Sequence, residues 1–187
     1  MLTLILGGGR SGKSRYAQTL CENYEKVVYV ATAQRDSSDE EMSARIARHE
    51  TMRPKHWQII EETVYLAEAI ELSEVENSIV MIDCATVWLS NLMWKYRENP
   101  PKEVESIILK QVEKLAKASK TRETIIVSNE VGSGIVPMNE VARQFQDLQG
   151  FTNQILAREA EKVYLIVAGL PLTLKSPKSQ VQESKVL

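Results

Sequence analysis

Residues 2–20 read LTLILGGGRSGKSRYAQTL, and the fold follows from how that run is punctuated. Leu2 to Leu6 is short and almost wholly apolar, as a strand covered on both faces should be. Gly7-x-x-x-x-Gly12-Lys13-Ser14 comes directly after it, and a helical pattern from Lys13 to Tyr24 follows. A strand, a glycine-rich loop ending in Gly-Lys-Ser, then a helix is the arrangement that cradles phosphates. Gly7, Gly8, Gly9 and Gly12, with Arg10 and Ser11 among them, let backbone N–H groups converge on phosphate oxygens. The helix turns its unsatisfied N-terminal donors and positive dipole end to the same point. Lys13 is expected to reach the β- and γ-phosphates and to act in catalysis, and the Ser14 hydroxyl to hold Mg²⁺. The ligand called for is a nucleoside triphosphate.

Outward from this loop, apolar runs keep alternating with amphipathic ones. Val27–Ala31, Ile79–Asp83, Thr124–Ser128 and Val163–Ala168 read as strands, with Trp57–Glu61 a weaker sixth. Helical patterns cover Asp39–Thr51, Val64–Leu72, Thr86–Tyr96, Pro101–Ser119 and Asn139–Ala160, the last expected to break near Gly150. Ser38 with Glu41 three residues on forms a capping box before the first of these. The rhythm predicts an α/β P-loop fold, a mostly parallel sheet flanked by helices. One catalytic domain is expected over 1–175. The tail 176–187, SPKSQVQESKVL, is polar and patternless and is expected to be mobile.

Composition narrows the class. The chain has 187 residues, 26% charged and 43% hydrophobic, an ordinary globular balance for one core. A net charge of -2 argues against nucleic-acid binding, which usually brings a basic surplus. Cys21 and Cys84 lie far apart among apolar neighbours, so buried free thiols are the reading rather than a disulfide. With two histidines besides, no zinc framework can be drawn. The first apolar run is too short for a signal peptide, and none approaches the roughly 20 residues of a membrane span. A cytoplasmic enzyme is the expectation.

Three further positions invite chemistry. Asp83 ends the run Ile79-Val80-Met81-Ile82-Asp83, where a P-loop enzyme keeps the acid near its metal; a cap for the next helix is the alternative. Glu130 opens Glu130-Val131-Gly132-Ser133-Gly134, either a loop that closes over substrate or an ordinary surface turn. Met42, Ile46 and His49 recur on one helical face, with Arg45 and Arg53 four residues to either side of His49. Flanking arginines could gather phosphate charge around the imidazole; a satisfied structural histidine is the alternative. His56 has no comparable setting.

GGGRSGKSRYA, EMSARIARHETMRPKHW, IDCATVWLSNL and the block from Ser128 to Pro171 together resemble the bifunctional adenosylcobinamide kinase / adenosylcobinamide-phosphate guanylyltransferase family of cobalamin biosynthesis. The resemblance runs from Leu2 to about Lys175. It implies phosphorylation of adenosylcobinamide by ATP or GTP, then transfer of GMP from GTP onto the resulting phosphate. It implies a histidine that carries GMP, matching His49 in the RIxxHxxxRP pattern and not His56. Nucleotide contacts implied by it are Gly7 to Ser14, Thr32, Ala33, Gln34, Glu50, Thr51, Met52, Arg53, Glu61 and Asp83. It further implies a sheet like that of recombination ATPases and a homotrimer. A simple P-loop small-molecule kinase and a nucleotide-gated regulatory ATPase are the rival readings.

Overall fold

A computed structural model describes residues 1–33, 44, 47, 53–72 and 78–177. In chain order the elements are β1 (Leu2–Gly7), α1 (Lys13–Cys21), β2 (Val27–Ala31), β3 (Gln58–Glu61), α2 (Leu66–Leu72), β4 (Ile79–Asp83), α3 (Ala85–Lys95), α4 (Pro101–Ala118), β5 (Thr124–Asn129), α5 (Glu140–Glu159), β6 (Lys162–Val167) and β7 (Leu170–Lys175). The strands form one seven-stranded sheet in the order β3-β2-β4-β5-β1-β6-β7. Every pairing is parallel except β6 with β7. This is the mostly parallel sheet that the apolar runs predict.

Alternation along the strands divides the core in two. Leu2, Leu4, Leu6, Val28, Val30, Val80 and Ile82 face α2, α3, α4 and α5, whose Ile70, Trp88, Leu89, Ile108, Val112 and Leu156 are buried against them. Ile5, Tyr29, Met81 and Val127 face the other way, toward Ala17 and Cys21 of α1 and toward Trp57. Both cysteines are free, Cys21 buried and Cys84 partly so. Burial pushes the Cys21 thiol up to about 12.

Several boundaries differ from the sequence reading. The weak sixth strand is real: β3 pairs with β2 from Val28↔Gln58 to Ala31↔Glu61. The second helical pattern begins at Leu66 rather than Val64, because the Glu62 carboxylate accepts from the N–H groups of Val64 and Tyr65 at 2.7 and 2.9 Å. α5 runs unbroken through Gly150; one glycine in a helix costs stability but need not end it. Its start agrees with the reading, Asn139 accepting from the Ala142 N–H at 3.0 Å as an N-cap. β7 is an element the sequence reading lacks. Ala168, read as strand, instead forms a tight turn with Gly169, at φ 51° and 82°, the left-handed pair that a two-residue hairpin needs. Of the expected helix 39–51, Ala44 and Ala47 are helical and the rest lies outside the described residues, as does most of the tail.

Candidate nucleotide site at the carboxyl edge of the sheet

The parallel register brings the carboxyl ends of five strands into one row. Gly7 pairs with Asn129, Asp83 with Val127 and Ala31, and Ala31 with Glu61. Open α/β sheets bind ligands at this edge, where loops leave the strands and helix N-termini converge.

The loop after β1 is shaped for close approach. At Gly7 a Cβ would stand 2.7 Å from the Ile166 carbonyl oxygen and 2.5 Å from Ser11 Oγ. Gly12 holds φ 96° as the residue that caps α1, a left-handed conformation that costs glycine little. The loop also leans on the last hairpin: the Gly169 N–H donates to the Ser11 carbonyl at 2.8 Å.

Lys13, at the first position of α1, is 8% exposed and donates from Nζ to the Gly8 carbonyl at 2.9 Å. Loss of water lowers its pKa, while the nearby Cys84 and Asp83 pull it the other way. Ser14 Oγ donates to Asp83 Oδ1 at 3.2 Å, and the Tyr29 hydroxyl donates to Asp83 Oδ2 at 2.9 Å. Both carboxylate oxygens are thus engaged, and α3 takes Cys84 as its cap residue, with no side-chain capping bond. The cap position of α3 is thus Cys84 and not Asp83.

Arg53 stacks its guanidinium on the Tyr29 ring, 3.8 Å from the centroid. Thr32 is fully buried; its hydroxyl donates to the Cys84 carbonyl at 2.9 Å and accepts from the Cys84 N–H at 2.8 Å. Asn91 donates to the Thr32 carbonyl at 2.8 Å. Thr32 therefore braces the β4–α3 junction through its side chain, and only its backbone and Ala33 remain on the loop side. Burial, helped by Asp83, pushes the Cys84 thiol up to about 11. Glu61 ends β3 in the same row, two strands from Asp83. Gln34, His49, Glu50, Thr51 and Met52 lie outside the described residues; His56 is exposed in the turn before β3. Glu130 fastens its own turn, accepting from the Gly132 N–H and Ser133 Oγ, each at 2.7 Å. That favours the ordinary turn over a substrate lid.

Tyr29 is the site residue that sequence reasoning missed. An aromatic inside VVYVA reads as core, and only its register beside Met81, two residues short of Asp83, hints otherwise. Among the described residues no three His, Cys, Asp or Glu side chains gather into a metal cage. A phosphate-bound Mg²⁺ needs none, since phosphates and water supply most of its ligands.

Sheet order, loop geometry and the Lys13–Ser14–Asp83 grouping define a P-loop nucleotide-binding protein. A solved structure from Pyrococcus horikoshii OT3 shares the fold, with a TM-score of 0.54 over 96% of this chain and 88% of that one at 12% identity. The family model described as cobinamide kinase / cobinamide phosphate guanyltransferase matches residues 3–174. The bifunctional adenosylcobalamin biosynthesis protein CobU of Escherichia coli (strain K12) is 38% identical over 183 residues, spanning 94% of this chain and 100% of that protein. The corresponding CobP of Pseudomonas aeruginosa is 40% identical over 176 residues, spanning 94% and 98%. The chain belongs to the cobinamide kinase / cobinamide phosphate guanyltransferase family.

Proposed function

We propose that this chain phosphorylates adenosylcobinamide with ATP or GTP and then transfers GMP from GTP to adenosylcobinamide phosphate by way of His49. The observation that carries the reading is Lys13, Ser14 and Asp83 meeting at one phosphate loop in a chain that matches the family over 3–174.

In the kinase step the substrate hydroxyl attacks the γ-phosphorus, its proton leaves, and the nucleoside diphosphate departs. Lys13 and the loop N–H groups from Gly8 to Ser14 stabilise charge as it moves to the departing oxygens. Ser14 and Asp83 would hold Mg²⁺, which would neutralise further phosphate charge there. In the second step a neutral imidazole nitrogen of His49 attacks the α-phosphorus of GTP. A P–N bond forms, the bond to the β-phosphate oxygen breaks, and pyrophosphate leaves. A phosphate oxygen of adenosylcobinamide phosphate then displaces the imidazole, giving adenosylcobinamide-GDP. Arg53 and Glu61, at the same edge, are assigned to nucleotide contacts with Thr32, Ala33, Gln34, Glu50, Thr51 and Met52.

The resemblance supports a homotrimer, and the sequence pattern supports a cytoplasmic enzyme with residues 1–175 as the catalytic unit. No described helix is long and apolar enough to cross a membrane.

Incubation with α-labelled GTP tests the carrier. Wild type is expected to retain acid-labile, base-stable label, and His49→Ala to retain none while still phosphorylating adenosylcobinamide. His56→Ala is expected to keep both activities. Retained label in His49→Ala would sink the assignment.

A further inference from the structure

We infer that Tyr29 is a positioning residue for the phosphate site: its hydroxyl holds the Asp83 carboxylate in the orientation that presents Oδ1 to Ser14, and its ring seats Arg53. The inference rests on the reading of this edge as a nucleotide site and adds a residue outside the motif to it.

A carboxylate at a strand end has two side-chain torsions to lose before it faces a fixed point. Ser14 Oγ lies 3.2 Å from Oδ1, a long contact for an O–H···O bond. The Tyr29 hydroxyl at 2.9 Å from Oδ2 adds a second point and fixes the plane. The phenol is itself well held: Tyr29 is 1% exposed, packed with Met81, Ala17 and Ile5, and its ring centroid is 6.4 Å from that of Trp57. Buried hydroxyls without partners are costly, and Asp83 is the partner this one has.

The face of the same ring ties in a second stretch of chain. Arg53 lies over the face of Tyr29 at 3.8 Å, an electrostatic attraction between cation and ring. Arg53 Nε is buried with no hydrogen-bond partner among the described residues, and the Tyr29 ring lies against the guanidinium. One buried side chain thus touches the acid of the phosphate site and the arginine that closes the RIxxHxxxRP pattern.

The test separates hydroxyl from ring, using binding of a fluorescent, non-hydrolysable GTP analogue titrated with Mg²⁺ and, separately, in EDTA. Tyr29→Phe keeps the ring and the packing. Its half-saturating Mg²⁺ concentration is expected to rise about tenfold, the size of losing a partner that orients a metal ligand. Binding in EDTA should stay within about twofold of wild type, because the arginine seat survives. Tyr29→Leu removes both and should weaken binding in EDTA as well. If Tyr29 acts through Asp83, Tyr29→Phe should change nothing further in an Asp83→Asn background. A Tyr29→Phe protein with wild-type Mg²⁺ dependence, or an additive double variant, overturns the inference while leaving the nucleotide site standing. Failure of the wild-type protein to bind the analogue at all overturns both.

Discussion

Lys13 carries its charge where water is scarce. Its ammonium is largely buried, and the Gly8 carbonyl is its hydrogen-bond acceptor. Desolvation lowers its pKa, so folding favours the neutral amine. The charged form therefore burdens stability below the folded pKa, a burden that fades as pH rises toward the ordinary lysine value. A nucleotide's phosphates supply the counter-charge that reverses this balance. Lys13→Met keeps the length and apolar stem without the charge. Its melting temperature without nucleotide is expected to equal or exceed that of wild type, and GTP is expected to add almost no further shift. Both activities should fall roughly a hundredfold or more, as when a preorganised charge stabiliser is removed. A clear loss of intrinsic stability would show that Lys13 is a structural cation instead. Lys13, Ser14 and Asp83 were legible in the sequence because each has a chemical reason to sit where it does. Tyr29 was not, since a phenol hydroxyl leaves no trace in an apolar pattern. The bracing role of the Thr32 hydroxyl was hidden for a related reason: it depends on α3 meeting β4, which no local spacing encodes.

The strands and helices were easier to read than their ends. Strands buried on both faces announce themselves by continuous apolar runs, and β1, β2, β4 and β5 all do; β6 reads the same way although it is only partly buried. β7 hid because Gly169-Leu170-Pro171 looks like a terminator, and because its pairing is antiparallel at the edge, where proline is tolerated. Gly150 misled in the opposite direction. Its helix is held by Leu148 and Leu156 against the sheet and by Asn153, whose side chain donates to the Asn129 carbonyl at 2.9 Å. Packing outweighs the propensity of one residue. Among the described residues, nothing beyond the chain neighbours and nearby backbone of the helix lies within 4 Å of a Cβ built at Gly150, so the glycine is not there for space. Gly150→Ala is expected to stabilise the protein by about 0.5 to 1 kcal/mol. The melting temperature should rise by about 1 to 4 °C in a chain of this size, read by differential scanning calorimetry. A fall instead would mean that another surface packs against that turn of α5.

The molecule as a whole leaves much apolar surface uncovered. Ile135 is 96% and Met138 98% exposed, and Leu170, Leu172 and Leu174 are exposed along one face of β7. Apolar surface of this kind usually meets a protein partner, and a free sheet edge beside it invites pairing. Sedimentation equilibrium is expected to return the mass of three chains, falling toward one in Leu172→Lys. A single-chain mass for wild type at every concentration would overturn the trimer. If β7 is buried between copies of the chain, the Gly169 N–H bonded to the Ser11 carbonyl gives that contact a consequence for the site. It joins the hairpin to the phosphate loop, so burial of β7 and nucleotide binding would be linked through it. By reciprocity, whatever factor burial of β7 adds to nucleotide affinity, nucleotide must return to association. Dilution would then loosen the grip on GTP, and GTP would gather the subunits.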